Sequence, residues 1–67
     1  MYVSPNFKTK KEFKQALEDG EPMFLYQPGF GDVPENGIVY VEGPHFPEPH
    51  RWYAQVTVVG GEIKRIK

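Results

Sequence analysis

Trp52-Tyr53-Ala54-Gln55-Val56-Thr57-Val58-Val59-Gly60-Gly61-Glu62-Ile63 is the stretch that decides the fold. Residues of a β-strand point alternately to its two faces, so Trp52, Ala54, Val56 and Val58 share one side and Tyr53, Gln55, Thr57 and Val59 the other. The first set is wholly apolar and the second is mixed, the pattern of a strand buried on one face. Gly60-Gly61 suits a two-residue hairpin turn, because glycine takes positive φ without steric cost. Such a turn sets Val58 opposite Ile63 and begins a last strand over residues 62 to 66. Ile63 and Ile66 have opposite parity, so they share a face only if that strand carries a bulge. The expectation is an irregular edge strand, with its lysines and arginine discouraging pairing at the edge.

Working back along the chain, Ile38 to Val41 is β-branched and aromatic, a second strand ended by Gly43-Pro44. Pro22 to Gln27 reads as another strand, closed by Pro28-Gly29-Phe30-Gly31 and a loop running to Asn36-Gly37. Thr9-Lys10-Lys11-Glu12 is a capping box, in which the Thr hydroxyl accepts from the backbone of residue 12 and the Glu side chain returns to the backbone of residue 9. Gly20 suits the left-handed stop, so a helix is predicted over about residues 10 to 19 with Phe13, Ala16 and Leu17 as its apolar stripe. A helix this short is marginal alone and must pack on something. Ser4-Pro5-Asn6 is turn chemistry after Tyr2-Val3, a small strand or an extended arm. Together these predict one α+β domain over residues 1–67, with one short helix packed on an antiparallel sheet of about four strands whose order stays open.

A chain of 67 residues buries roughly 60% of its unfolded surface, so the core is thin and a large enclosed active site would consume it. There is no cysteine, which removes disulfides, thiolate zinc sites and cysteine nucleophiles together. Packing must supply the stability, and five Phe, four Tyr and one Trp are the main suppliers. The longest wholly apolar run, around Met23 to Tyr26, is far short of a membrane span, and the N-terminus lacks a basic region followed by an apolar one. The expectation is a cytoplasmic protein with no membrane partner. Net charge is −1, but four lysines (Lys8, Lys10, Lys11, Lys14) crowd the start, and Arg51, Lys64, Arg65 and Lys67 the end. Residues 15 to 50 hold no Lys or Arg and seven acids, so the chain is basic at both ends and acidic between.

Chemistry concentrates in Gly43-Pro44-His45-Phe46-Pro47-Glu48-Pro49-His50-Arg51-Trp52-Tyr53, which holds both histidines and the only tryptophan. His45, His50 and Glu48 are suitable metal ligands by type, but His-x4-His across two prolines is an unfamiliar spacing, and catalytic zinc usually needs three protein ligands with supporting partners. Loop histidines hydrogen-bonded to backbone or water are the favoured reading, so no metal and no cofactor are expected. A histidine base would need a nucleophile, yet Ser4 is the only serine, Thr9 is assigned to the cap and Thr57 to a strand face. Gly29-Phe30-Gly31-Asp32 is a lone Gly-x-Gly without the rest of a dinucleotide fingerprint, and reads as a turn. A catalytic role is not expected.

Two binding readings remain. Lys10 and Lys11 lie in the first helical turn, where positive charge opposes the helix dipole, and with Lys8 they suggest a phosphate site that Lys64 and Arg65 extend if the last strand lies nearby. Aromatic residues on a sheet also stack bases. Against this stand the net charge, the acidic middle and the lack of a nucleic-acid motif. Protein binding fits the His-Pro segment better: proline fixes φ, and Trp, Tyr and Arg are enriched at binding hot spots. Phe46 between two prolines, with Arg51, Trp52 and Tyr53, forms a candidate ledge. The structural alternative has Trp52 plugging the sheet, with Phe46 and the prolines covering it.

The run Gly-Pro-His-Phe-Pro-Glu-Pro-His-Arg-Trp-Tyr-Ala, with Tyr2-Val3-Ser4-Pro5-Asn6-Phe7 near the start and the Gly-Gly hairpin near the end, resembles small uncharacterised proteins of bacteria and their phages. That resemblance spans nearly the whole chain and brings no activity, cofactor or functional residue with it. It implies an accessory role towards a host or phage partner. The function expected is a non-enzymatic protein-interaction domain using Phe46, Arg51, Trp52 and Tyr53; its rival is a nucleic-acid or anionic-ligand binder using Lys8, Lys10, Lys11, Lys64 and Arg65.

Overall fold

The computed structural model describes every residue except Pro28 and Phe30, so the turn expected over Pro28 to Gly31 lies partly outside the described residues. The elements in order are β1 (Tyr2–Ser4), α1 (Lys10–Glu18), β2 (Phe24–Tyr26), β3 (Gly37–Gly43), β4 (Trp52–Val59) and β5 (Glu62–Ile66). The class is α+β with one short helix, as expected, but the strands form two sheets rather than one. β3, β4 and β5 make an antiparallel meander, and β1 and β2 a separate antiparallel pair.

The meander follows the alternation closely. Trp52, Ala54, Val56 and Val58 are all buried, and Tyr53 and Val59 are exposed. Gly60 and Gly61 both have positive φ, 59° and 80°, the requirement of a type I′ turn. Val58 pairs with Ile63 as the turn demands. The parity conflict resolves as predicted, because the register shifts between Thr57 and Val58, Lys64 is the extra residue, and Ile66 then meets Val56. Ile63 and Ile66 thereby both pack against the core. β3 is longer than the sequence suggests, because its register with β4 continues to Gly37↔Val58 at one end and Gly43↔Trp52 at the other.

α1 covers the inner face of this meander. Its start is half a capping box: the Glu12 N–H donates to Thr9 Oγ1 at 3.2 Å, but the Thr9 hydroxyl donates to the Glu12 carboxylate rather than leaving that carboxylate to the residue 9 backbone. Its end is a Schellman motif around Gly20, whose φ is +72°, with Gly20 N–H donating to Leu17 O and Glu21 N–H to Ala16 O. Phe13 and Ala16 are buried. Phe13 stacks with Phe7 at 5.6 Å between ring centroids and lies 5.4 Å from Trp52, and these rings join Val39, Val41, Val56 and Val58 in one core.

The single sheet fails at β1 and β2. Each is three residues long, with Tyr2↔Tyr26, Val3↔Leu25 and Ser4↔Phe24 in register. β1 approaches the edge of β3 but shares one backbone bond with it, Glu42 N–H to Met1 O at 3.0 Å, and the Met1 ammonium lies 3.2 Å from the Glu42 carboxylate. Pro5, reached through one of three cis peptides among the described residues (the others precede Pro44 and Pro47), has no N–H to continue a ladder, so the pairing stops there. Tyr2-Val3 is a strand rather than a loose arm, and the strand expected over residues 22 to 27 contracts to Phe24–Tyr26.

Candidate functional site

The residues between Gly43 and Trp52 connect two paired strands, and side chains from distant parts of the chain hold them. Arg51 N–H donates to Gly43 O at 2.7 Å, extending the ladder by one step, and Glu48 N–H donates to His45 O. Asn6 Oδ1 accepts from the His45 N–H, and the Tyr2 hydroxyl accepts from the Phe46 N–H at 3.1 Å.

Both histidines are bonded to tyrosines. His45 Nε2 is 2.7 Å from Val3 O, and since a carbonyl only accepts, Nε2 carries the proton and donates. In the neutral ring Nδ1 is then the acceptor, and the Tyr26 hydroxyl donates to it at 2.9 Å. His45 stacks on Tyr2 at 4.7 Å with planes 17° apart, and Tyr26 meets it edge-on at 5.5 Å. The Tyr2 hydroxyl, having accepted from Phe46, has its own proton for His50 Nε2 at 3.1 Å. With both ring nitrogens engaged, His45 is a strut. Ser4 is half-buried and the Thr9 hydroxyl is engaged in the helix cap. No group of three or more metal-ligating side chains is assembled among the described residues.

Two aromatic side chains of this part of the sequence stand in solvent. Phe46 is 79% exposed and Tyr53 65% exposed, and His50 joins Tyr53 edge-on at 6.4 Å. Arg51 is also exposed. Trp52 is not: it is 7% exposed and its indole N–H donates to Phe7 O at 3.0 Å. Its ring lies against Gly43, where a Cβ would collide with Cζ2 and Cε2 of the indole. Of the protein-binding candidates, Phe46, Arg51 and Tyr53 are therefore exposed, and Trp52 is part of the core.

The anion-binding candidates divide into separate places. Lys8 and Lys10 line a cleft of about 400 Å³ with Arg51 and Glu48, over a floor of Pro44 and Trp52. Lys11 borders a different depression, beside Gln15 and Asp19. Arg65 pairs across from Thr57, on the face of the meander opposite α1, so it does not extend the basic start of the helix. Lys64 donates to Glu62 at 2.9 Å, and that bond, with the adjacent positive charge, holds the Glu62 carboxyl below its ordinary range.

The open face carries Ile38, Tyr40, Tyr53, Thr57 and Arg65, with Lys67 joined to Gln55 by two backbone bonds at its edge. Tyr2 and Tyr26 are the residues of this frame that sequence reasoning missed. Their only signal was the presence of two tyrosines in separate apolar runs, which says nothing about histidines 48 positions from Tyr2 and 19 from Tyr26. Compared with family models, with curated proteins and with solved structures, the chain matches none.

Proposed function

We propose that this chain is a small non-catalytic binding protein that docks another protein through Phe46, Arg51 and Tyr53. The observation that supports it is the state of Phe46. Its ring is 79% exposed although its backbone N–H is fixed by the Tyr2 hydroxyl, so a large apolar group stands in water on an ordered support. Covering apolar surface is worth roughly 25 cal/mol per Å², and rings on a firm base, with an arginine beside them, are the residues that carry binding energy in interfaces. An accessory role towards a bacterial or phage partner belongs to the same proposal.

The rival reading, single-stranded nucleic acid on the open face, has its own support: Tyr40 on β3 is 69% exposed, and Arg65 and Lys67 line a depression on the same face with Ile38, Gln55 and Thr57. Glu42 and Glu62 share that face, however, which weakens its pull on a phosphate backbone.

The deciding experiment uses the protein as bait in cell lysate, then measures the affinity of the recombinant partner for wild type, Phe46→Ser and Tyr53→Ser. Each substitution is expected to cost about 2 kcal/mol, roughly thirty-fold in Kd, with the melting temperature kept. A salt-sensitive oligonucleotide complex that depends on Tyr40, Arg65 and Lys67 and ignores Phe46 would overturn the proposal in favour of its rival.

A further inference from the structure

We infer that the partner presents an acidic segment, seated in the cleft between the start of α1 and the residue 44–51 connection. This rests on the protein-binding reading and names the chemistry of what binds. The cleft brings together three cations from two separate parts of the chain, Lys8 and Lys10 from the approach to α1 and Arg51 from the foot of β4, against one carboxylate, Glu48. None of the three forms an ion pair among the described residues, where the pairs are Met1 with Glu42 and Lys64 with Glu62. Folding thus gathers like charges without neutralising them.

Two further facts make this arrangement costly to the protein itself. Lys10 occupies the first position of α1, where the helix dipole is positive and a lysine is unfavourable. It is also half-buried, so water screens it less than a free surface lysine. An anionic ligand relieves both costs at once. Beyond Glu48, the carboxylate the chain itself brings to this helix end is Glu12, in the first turn of α1 and bonded to the Thr9 hydroxyl, against the three cations of the cleft.

The floor of the cleft explains why the ligand is a peptide rather than a free anion. Pro44 and the edge of Trp52 form an apolar base, and about 400 Å³ exceeds what a phosphate or sulfate fills. Pro44, Glu48 and Arg51 belong to the same connection that carries the exposed Phe46, so the cleft and that ring are offered by one segment of the chain. Complementary charge of this kind sets association rate and partner choice.

Trp52 is the only tryptophan and lines the cleft, so its fluorescence reports occupancy directly. The probes are a short peptide rich in Asp and Glu with one central Phe, the same peptide with Asn and Gln in place of the acids, single-stranded oligothymidylate of matching length, and inorganic phosphate. The acidic peptide is expected to bind, to weaken as salt rises, and to lose about ten-fold in affinity with Arg51→Glu and again with Lys8→Glu. Both substitutions are at exposed positions, and far-UV circular dichroism checks that the fold is kept. Equal binding of the Asn/Gln peptide, insensitivity to salt, or tighter binding of oligothymidylate would overturn the inference, as would phosphate alone displacing the peptide at equal concentration.

The two proposals fail separately. If the captured partner depends on Phe46 and Tyr53 but ignores Arg51→Glu and salt, the acidic segment is wrong and the protein-binding function stands. If it ignores Phe46 and Tyr53, the function falls and takes this inference with it.

Discussion

The β3–β4–β5 meander and the corner made by β1, β2 and the residue 44–50 connection are neighbours built by different physics. In the meander, backbone ladders and alternating side chains repeat the same local rule, and Val41, Val56 and Val58 vanish from solvent as a result. In the corner the strands are three residues long, and position is set by hydrogen bonds between polar side chains far apart in the chain. The difference teaches that a small protein can use its regular structure for stability and hold an exposed connection, the proposed binding surface, with a polar frame. Trp52 joins the two regions, since it begins β4 and floors the connection.

Removing that joint should have the largest effect. Trp52→Ala deletes a buried ring that touches Phe13 and rests on Gly43, and it should cost about 3–5 kcal/mol by urea denaturation, enough to unfold a domain of this size. A loss under about 1 kcal/mol would show that the meander stands without the joint.

His45→Ala should separate the regions instead. It leaves Val3 O and the Tyr26 hydroxyl without their partner, a cost of about 1–3 kcal/mol. Amide exchange should rise at Phe46 and Glu48 while the amides of Val56 and Val58 stay protected, and uniform loosening would contradict the division drawn here.

Tyr2→Phe is gentler, because the ring and its stack on His45 remain. Losing the hydroxyl that accepts from Phe46 and donates to His50 should cost about 1 kcal/mol, seen as a small fall in midpoint with the denaturant slope unchanged.

The smallest effect belongs to the exposed Glu62–Lys64 pair on β5. Lys64 lowers the Glu62 pKa by hydrogen bond first and charge second, so whatever the pair contributes is present above the unfolded carboxylate value and disappears as pH falls through the folded one. Glu62→Gln should leave the neutral-pH melting temperature unchanged within error, and a clear drop would mean that the bulged edge matters more to the meander than its exposure suggests.

These contrasts match what was legible beforehand. β4, the Gly60-Gly61 turn, the pairing of Val58 with Ile63 and the bulge all follow from a period of two and from one parity conflict, which are local properties of adjacent residues. The helix was equally plain in Thr9, Phe13 and Gly20. The second sheet was not, because Tyr2-Val3-Ser4 and Phe24-Leu25-Tyr26 are too short to show a period and their pairing depends on the helix between them. The histidines were singled out as loop residues bonded to backbone or water, and Val3 O is such a backbone partner, but Tyr2 and Tyr26 were invisible as the other partners. Nothing in the spacing of Phe46 and Tyr53 said that both would be exposed, whereas the alternation of β4 did separate Tyr53 from Trp52.

Gly43 and Trp52 are partners across the ladder, and the indole lies on the bare glycine backbone. The connection between them is therefore a closed loop whose two ends cannot part without lifting the ring off its seat. Ordering those residues has already been accomplished by folding, so a partner that lands on Phe46 meets a surface with little conformational entropy left to surrender. Calorimetry of the complex should accordingly show a modest entropic penalty, with the free and bound forms of the connection nearly superimposable.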